Sequence, residues 1–91
     1  MDVRLLDEPF DPGAELSRFI QAHPCAGGVV SFIGQVRDGG SVEALELTHY
    51  PPFTLPGMKE LSAVTQARWP FAGLLLLHRV GILRPGEPIV L

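Results

Sequence analysis

The sequence predicts an α+β domain: a mixed sheet with two helices in the order β-α-β-β-α-β-β, incomplete at its carboxyl end. Three observations carry this. Apolar residues alternate along 28–37 and 42–50, as half-buried strands require. They recur at helical spacing along 12–22 and 57–68. Turn signals, Asp38-Gly39-Gly40 and Arg84-Pro85-Gly86-Glu87, separate the extended runs. At 91 residues, residues 1–91 form a single domain. Ten glycines and nine prolines make it rich in turns.

Taken in order, 3–6 reads as a first strand. Asp11-Pro12 supplies an N-cap followed by proline at the first helical position, so a helix runs over 12–22 until Pro24 turns the chain out of it. Leu16, Phe19 and Ile20 form its apolar stripe. The run from Gly28 places Val30, Phe32 and Val36 on one face of a strand, with Gly34 bare on that face, and 42–50 pairs with it most simply as a hairpin whose apolar face is Leu45 and Leu47. Pro51, Pro52 and Pro56 predict a loop. The second helix is expected over 57–68, with Met58, Leu61, Val64 and Arg68 at helical spacing up to Trp69-Pro70. The leucine run in 73–83 suits one strand buried on both faces. A final strand starts at Pro88-Ile89-Val90-Leu91, which reads as a shortened element or one completed by a partner.

Charge and composition exclude several classes of function. Seven Lys+Arg against ten Asp+Glu leave a net charge of −3 with no basic block, so no nucleic-acid partner is expected. The acidic amino end is the reverse of a secretory signal, and the longest apolar run falls far short of the roughly 18 residues that read as a membrane span, so a cytoplasmic protein with no membrane partner is expected. Cys25 stands alone, and His23, His49 and His78 lack metal-site spacing; neither a metal nor a cofactor is implied.

Few residues could carry chemistry. Arg37 ends a strand just before a glycine turn, where a guanidinium fork can take a phosphate or carboxylate; the plainer reading is a surface arginine paired with Asp38 or Glu43. His78 could act as a general acid or base, or be a hydrogen-bonded histidine at a sheet margin. Cys25 and His49 could form a thiolate–base pair, although nothing in their spacing demands contact.

Four segments in order resemble the large catalytic subunit of molybdopterin synthase: Gly28-Val29-Val30-Ser31-Phe32-Ile33-Gly34-Gln35-Val36-Arg37, Leu45-Glu46-Leu47-Thr48-His49-Tyr50-Pro51, Ala67-Arg68-Trp69-Pro70, and His78-Arg79-Val80-Gly81-Ile82-Leu83-Arg84-Pro85-Gly86-Glu87. The resemblance implies an α/β-hammerhead fold, of which this chain is the amino-terminal portion. It implies a homodimer within a heterotetramer, each large subunit holding a small ubiquitin-like sulfur carrier whose Gly-Gly thiocarboxylate tail enters the active site. The reaction implied is a sulfurtransferase step in molybdenum cofactor biosynthesis: sulfur passes to cyclic pyranopterin monophosphate to make molybdopterin. The matching anion-binding residue is Arg37, with the Gln35-Val36 backbone lining the same pocket and Phe32 nearby on the strand.

The chain departs from the family in two places. Residues 51–55 read as an inserted loop. The family continues past the position of Leu91 into further strands, a substrate-binding His-Arg pair, a long helix and the catalytic lysines, so no catalytic residue is assigned here; His78-Arg79 matches an earlier motif, and Lys59 matches none of those lysines. The alternatives are a non-catalytic module for dimerisation or carrier binding, and an unrelated thiol hydrolase built on Cys25 and His49.

Overall fold

The computed structural model describes residues 1–38, 44–48 and 51–91. Strand β1 (Asp2–Leu6) leads into helix α1 (Pro12–Ala22), and both match their predicted positions. The Asp11 side chain accepts the Ala14 N–H at 3.1 Å, satisfying one of the four N–H groups that a helix start leaves without acceptors, and Pro12 needs none. Leu16 and Phe19 are half-buried as expected, but Ile20 is exposed.

An ion pair joins α1 to β1. The Arg4 guanidinium forks onto both Glu15 carboxylate oxygens at 2.5 and 3.2 Å, and Arg18 reaches Glu15 at 3.0 Å. The Arg4 hydrogen bond is the main reason that the Glu15 carboxyl is held below the ordinary carboxylate range. A carboxyl lowered in this way adds stability above its unfolded value, about 4.3, and loses it as pH falls through the folded value. The Glu15→Gln variant should therefore show a shallower acid limb in a pH series of urea unfolding, the difference being about 1 kcal/mol because Arg4 remains partly hydrated.

Strand β2 (Gly34–Gln35), strand β3 (Leu45–Leu47), helix α2 (Pro51–Arg68), strand β4 (Leu75–Arg79), strand β5 (Gly81–Leu83) and strand β6 (Pro88–Val90) complete the chain. They form a four-stranded sheet in the order β1-β4-β6-β2 and a separate pair β3-β5. Strand β1 lies parallel to β4, while β6 runs antiparallel to both β4 and β2. The α+β architecture with a mixed sheet and two helices is thus observed, with one more strand than predicted.

Four expectations are corrected. Segments 28–37 and 42–50 do not form a hairpin: β2 pairs with β6, and β3 pairs with β5. Alternation names a strand without naming its neighbour, and both true neighbours lie more than 30 residues away in sequence. The turn at Gly39-Gly40, with His49 and Tyr50, falls outside the described residues.

The predicted loop at 51–55 is instead the first turn of α2. Pro51 and Pro52 stand where N–H groups have no intrahelical acceptor, so they start the helix, and only Pro56 lies inside it. The helix buries Ser62, whose hydroxyl donates to the Met58 carbonyl at 2.9 Å, and leaves Leu61 and Val64 exposed. Its inward face is thus rotated from the predicted one.

The predicted single strand over 73–83 breaks after Arg79, since Gly81 adopts φ +96, a conformation that side chains with a Cβ rarely enter. The chain thereby passes from the four-stranded sheet to the β3-β5 pair. Finally, 28–33 belongs to no strand, and only Gly34–Gln35 does. The sheet closes tightly there: a Cβ on Gly34 would stand 2.8 Å from Val90 Cγ1, so only glycine lets β6 approach.

The core is small. Leu77 and Leu83 are fully enclosed, joined by Val36, Val80 and Leu91. Leu91 is paired, exchanging backbone hydrogen bonds with Leu77 at 2.8 and 3.1 Å, so the apolar carboxyl end is not a bare strand edge.

Candidate functional site

The exit of β2 is held from two sides. Val36 donates its N–H to the Glu87 carbonyl at 2.9 Å, and its own carbonyl accepts from Gly86 N–H at 2.8 Å, clamping the strand end to the turn at 84–87. That turn is fixed in its own right by Glu87 N–H donating to Arg84 at 3.0 Å and by positive φ at Gly86. Beneath it lies Arg79, only 3% exposed. Its guanidinium donates to Glu87 Oε2 at 2.9 Å and to the Ile82 carbonyl at 3.2 Å, and its Nε has no partner. A charge so enclosed needs its counter-ion, and Glu87 is therefore tied down by its side chain as well as its backbone.

The Val36 side chain is buried and its backbone groups are occupied, so Val36 anchors the site. Gln35 and Arg37, two residues apart on an extended segment, share the opposite, exposed face. Arg37 makes no ion pair with Asp38 and no other polar contact among the described residues; Glu43 lies outside them. Among the described residues its five donors have no partner, and the residue before it is hydrogen-bonded on both sides to the 84–87 turn. A guanidinium beside a carboxamide in this setting is chemically suited to a phosphate, which takes two parallel N–H bonds from the fork.

Phe32 is placed elsewhere. It is 74% exposed and lines an apolar groove of about 650 Å³ between 28–32, β4 and α1, which neither Gln35 nor Arg37 lines. His78 is hydrogen-bonded as the plainer reading has it, its Nδ1 2.7 Å from the Arg79 carbonyl, but it does not lie at a sheet margin: β4 is an interior strand, and His78 stands between Leu5 of β1 and Val90 of β6. Cys25 is exposed, and His49 falls outside the described residues. Among the described residues no cluster of three His, Cys, Asp or Glu could hold a metal, and no helix is long and apolar enough to cross a membrane.

Sequence reasoning missed the Arg79–Glu87 pair and the groove. The first had a signal: an arginine at the end of β4 and, eight residues on, a glutamate in the 84–87 turn that reverses the chain. The groove had none, because it depends on which strands become neighbours.

Fold and site together define an α+β domain with a mixed sheet and an exposed arginine at the exit of β2. A family model described as MoaE protein matches residues 5–91, and the chain belongs to this family. It is 42% identical over 99% of its length to the molybdopterin synthase catalytic subunit of Pseudomonas aeruginosa, covering 62% of that protein. To the subunit of the same name from Mesorhizobium japonicum it is 43% identical over 98% of its length, covering 57% of that one. Among solved structures it is similar to molybdopterin cofactor biosynthesis protein E from Burkholderia multivorans, with TM-score 0.82 and 38% identity over 98% of this chain and 59% of that one. The chain thus spans about three-fifths of the length of these relatives.

Proposed function

We propose that this chain supplies the substrate-phosphate grip of a molybdopterin synthase catalytic subunit, the activity that its relatives carry in their names. The reaction is transfer of sulfur from a thiocarboxylated small carrier onto cyclic pyranopterin monophosphate, in the cytoplasm, by a homodimer within a heterotetramer. The observation that carries this reading is Arg37: without a polar partner among the described residues, exposed, and next to a braced strand end beside Gln35.

Each residue has a physical task. Arg37 receives the phosphate through charge-assisted bonds, and Gln35 adds an amide donor on the same face. Val36, clamped between Glu87 and Gly86, fixes the backbone from which the Arg37 side chain extends, so that a bound phosphate is presented from one place relative to the incoming sulfur. Phe32 offers an apolar surface further along the segment.

Hydrogen bonds to a charged group contribute about 1.5–3 kcal/mol, so the Arg37→Ala variant is expected to bind the pterin monophosphate roughly ten- to a hundredfold more weakly in a calorimetric titration. Unchanged affinity would remove Arg37 from the site.

A further inference from the structure

The turn that braces the exit of β2 carries a second cation. Residues 84–87 combine proline at the second position, glycine with φ +86 at the third and a bond from Glu87 N–H to the Arg84 carbonyl at 3.0 Å, the pattern of a type II turn. The backbone at Arg84 is set by that turn, and its side chain is exposed. The Val36 carbonyl, which accepts from Gly86 N–H at 2.8 Å, links the turn to the residue before Arg37. Through that bond covalent geometry holds the Arg37 and Arg84 Cα atoms within about 12 Å of each other, a span that two extended arginine side chains can close from both ends.

The distribution of ion pairs singles out the same two residues. Arg4 and Arg18 share Glu15, Arg79 is held by Glu87, and Arg68 lies over the Trp69 ring at 4.6 Å. Arg37 and Arg84 are the arginines left without a side-chain partner among the described residues. The carboxylate of the turn itself is taken, since Glu87 is engaged by Arg79, which is 3% exposed and needs that counter-ion. Asp38 pairs with neither arginine. In a chain whose net charge is −3, the fold therefore gathers two unpaired positive groups at one point of its surface. Like charges held close favour an anion that touches both, and a phosphate has oxygens to spare beyond those that one guanidinium fork engages.

We infer that Arg84 is a second substrate-binding arginine, reaching from the turn to the same phosphate that Arg37 meets from the strand; this rests on the reading of Arg37 as the phosphate grip. The two guanidiniums take different oxygens of one group, so Arg84 raises the preference of the site for the phosphorylated pterin over the same pterin without its phosphate. The 84–87 turn then has two tasks: its backbone braces Val36, and its first side chain completes the grip.

Calorimetric titration of the 91-residue chain with cyclic pyranopterin monophosphate, and with the same pterin lacking its phosphate, tests this. The Arg84→Gln variant should bind the phosphorylated compound about tenfold more weakly, the loss of one charge-assisted contact, and the other compound as the parent does. The Arg84→Lys variant should recover part of the affinity, because it returns the charge without the fork. Urea unfolding of Arg84→Gln should match the parent, since the side chain is exposed, so that weaker binding reports the contact and not the fold. Unchanged affinity in Arg84→Gln beside weakened binding in Arg37→Ala overturns the inference and leaves the Arg37 grip standing; unchanged affinity in both variants overturns the two together. Equal weakening toward both compounds also overturns the inference, because Arg84 would then act on the pterin and not on its phosphate.

Discussion

Replacing Glu87 by alanine is expected to lower the unfolding free energy by about 3 kcal/mol, the low end of the range of about 3–5 for breaking a buried ion pair. The low end applies because the Glu87 side chain is 28% exposed, so water can approach one side of the pair. The loss comes from what is left behind. Arg79, 3% exposed and already without a partner at Nε, would keep only the Ile82 carbonyl at 3.2 Å to offset the burial of a full charge. Urea unfolding measures this directly. A double replacement, Arg79→Met with Glu87→Leu, should recover most of the loss by removing both charges from the interior. If the double variant is as unstable as the single one, the stabilisation resides in the turn's backbone bonds and not in the pair.

The second large effect is expected at Leu77, where truncation to alanine should cost about 2–5 kcal/mol through lost burial and the cavity left behind. Leu77 is fully enclosed at the centre of β4, with β1 on one side and Leu91 bonded to it on the other, so the surroundings have little freedom to collapse. The same truncation at Ile82, an exposed residue of β5, should lie within about 0.5 kcal/mol of the parent. Thermal or urea unfolding of the two variants side by side checks this. Equal losses would mean that the small core does not hold the sheet together.

How far these features were legible in the sequence depended on how local their causes are. Helix α1 was readable to the residue, since Asp11, Pro12 and Pro24 act within one turn of the positions they define. The start of α2 was misread because proline is punctuation with two meanings: it breaks a helix interior but suits a first turn, and only the fold shows which applies to Pro51 and Pro52. The break at Gly81 was visible as a glycine but not as a positive φ, which follows from the need to carry the chain from one sheet to the other.

Strand partners were the least legible. The pairing of β2 with β6 and of β3 with β5 rests on contacts far apart in sequence, and turn signals such as Gly39-Gly40 report reversals without reporting partners. Gly34 shows the same limit. Its bareness was evident from the alternation, but its reason, the approach of Val90, appears only once β6 is in place. The candidate site was legible in part: Arg37 by position and residue type, and Gln35 and Val36 only through the family resemblance. The brace from Arg79 through Glu87 to Val36 was not, because it crosses between strands that sequence alone had not joined.

The account stands on the Arg37 guanidinium being the hand that holds a phosphate, and nuclear magnetic resonance can watch that group itself. In a titration with cyclic pyranopterin monophosphate, the Arg37 Nε–H cross-peak should shift in a saturable manner, while the same pterin without its phosphate leaves it in place. A cross-peak that stays fixed while other resonances report binding would contradict the account.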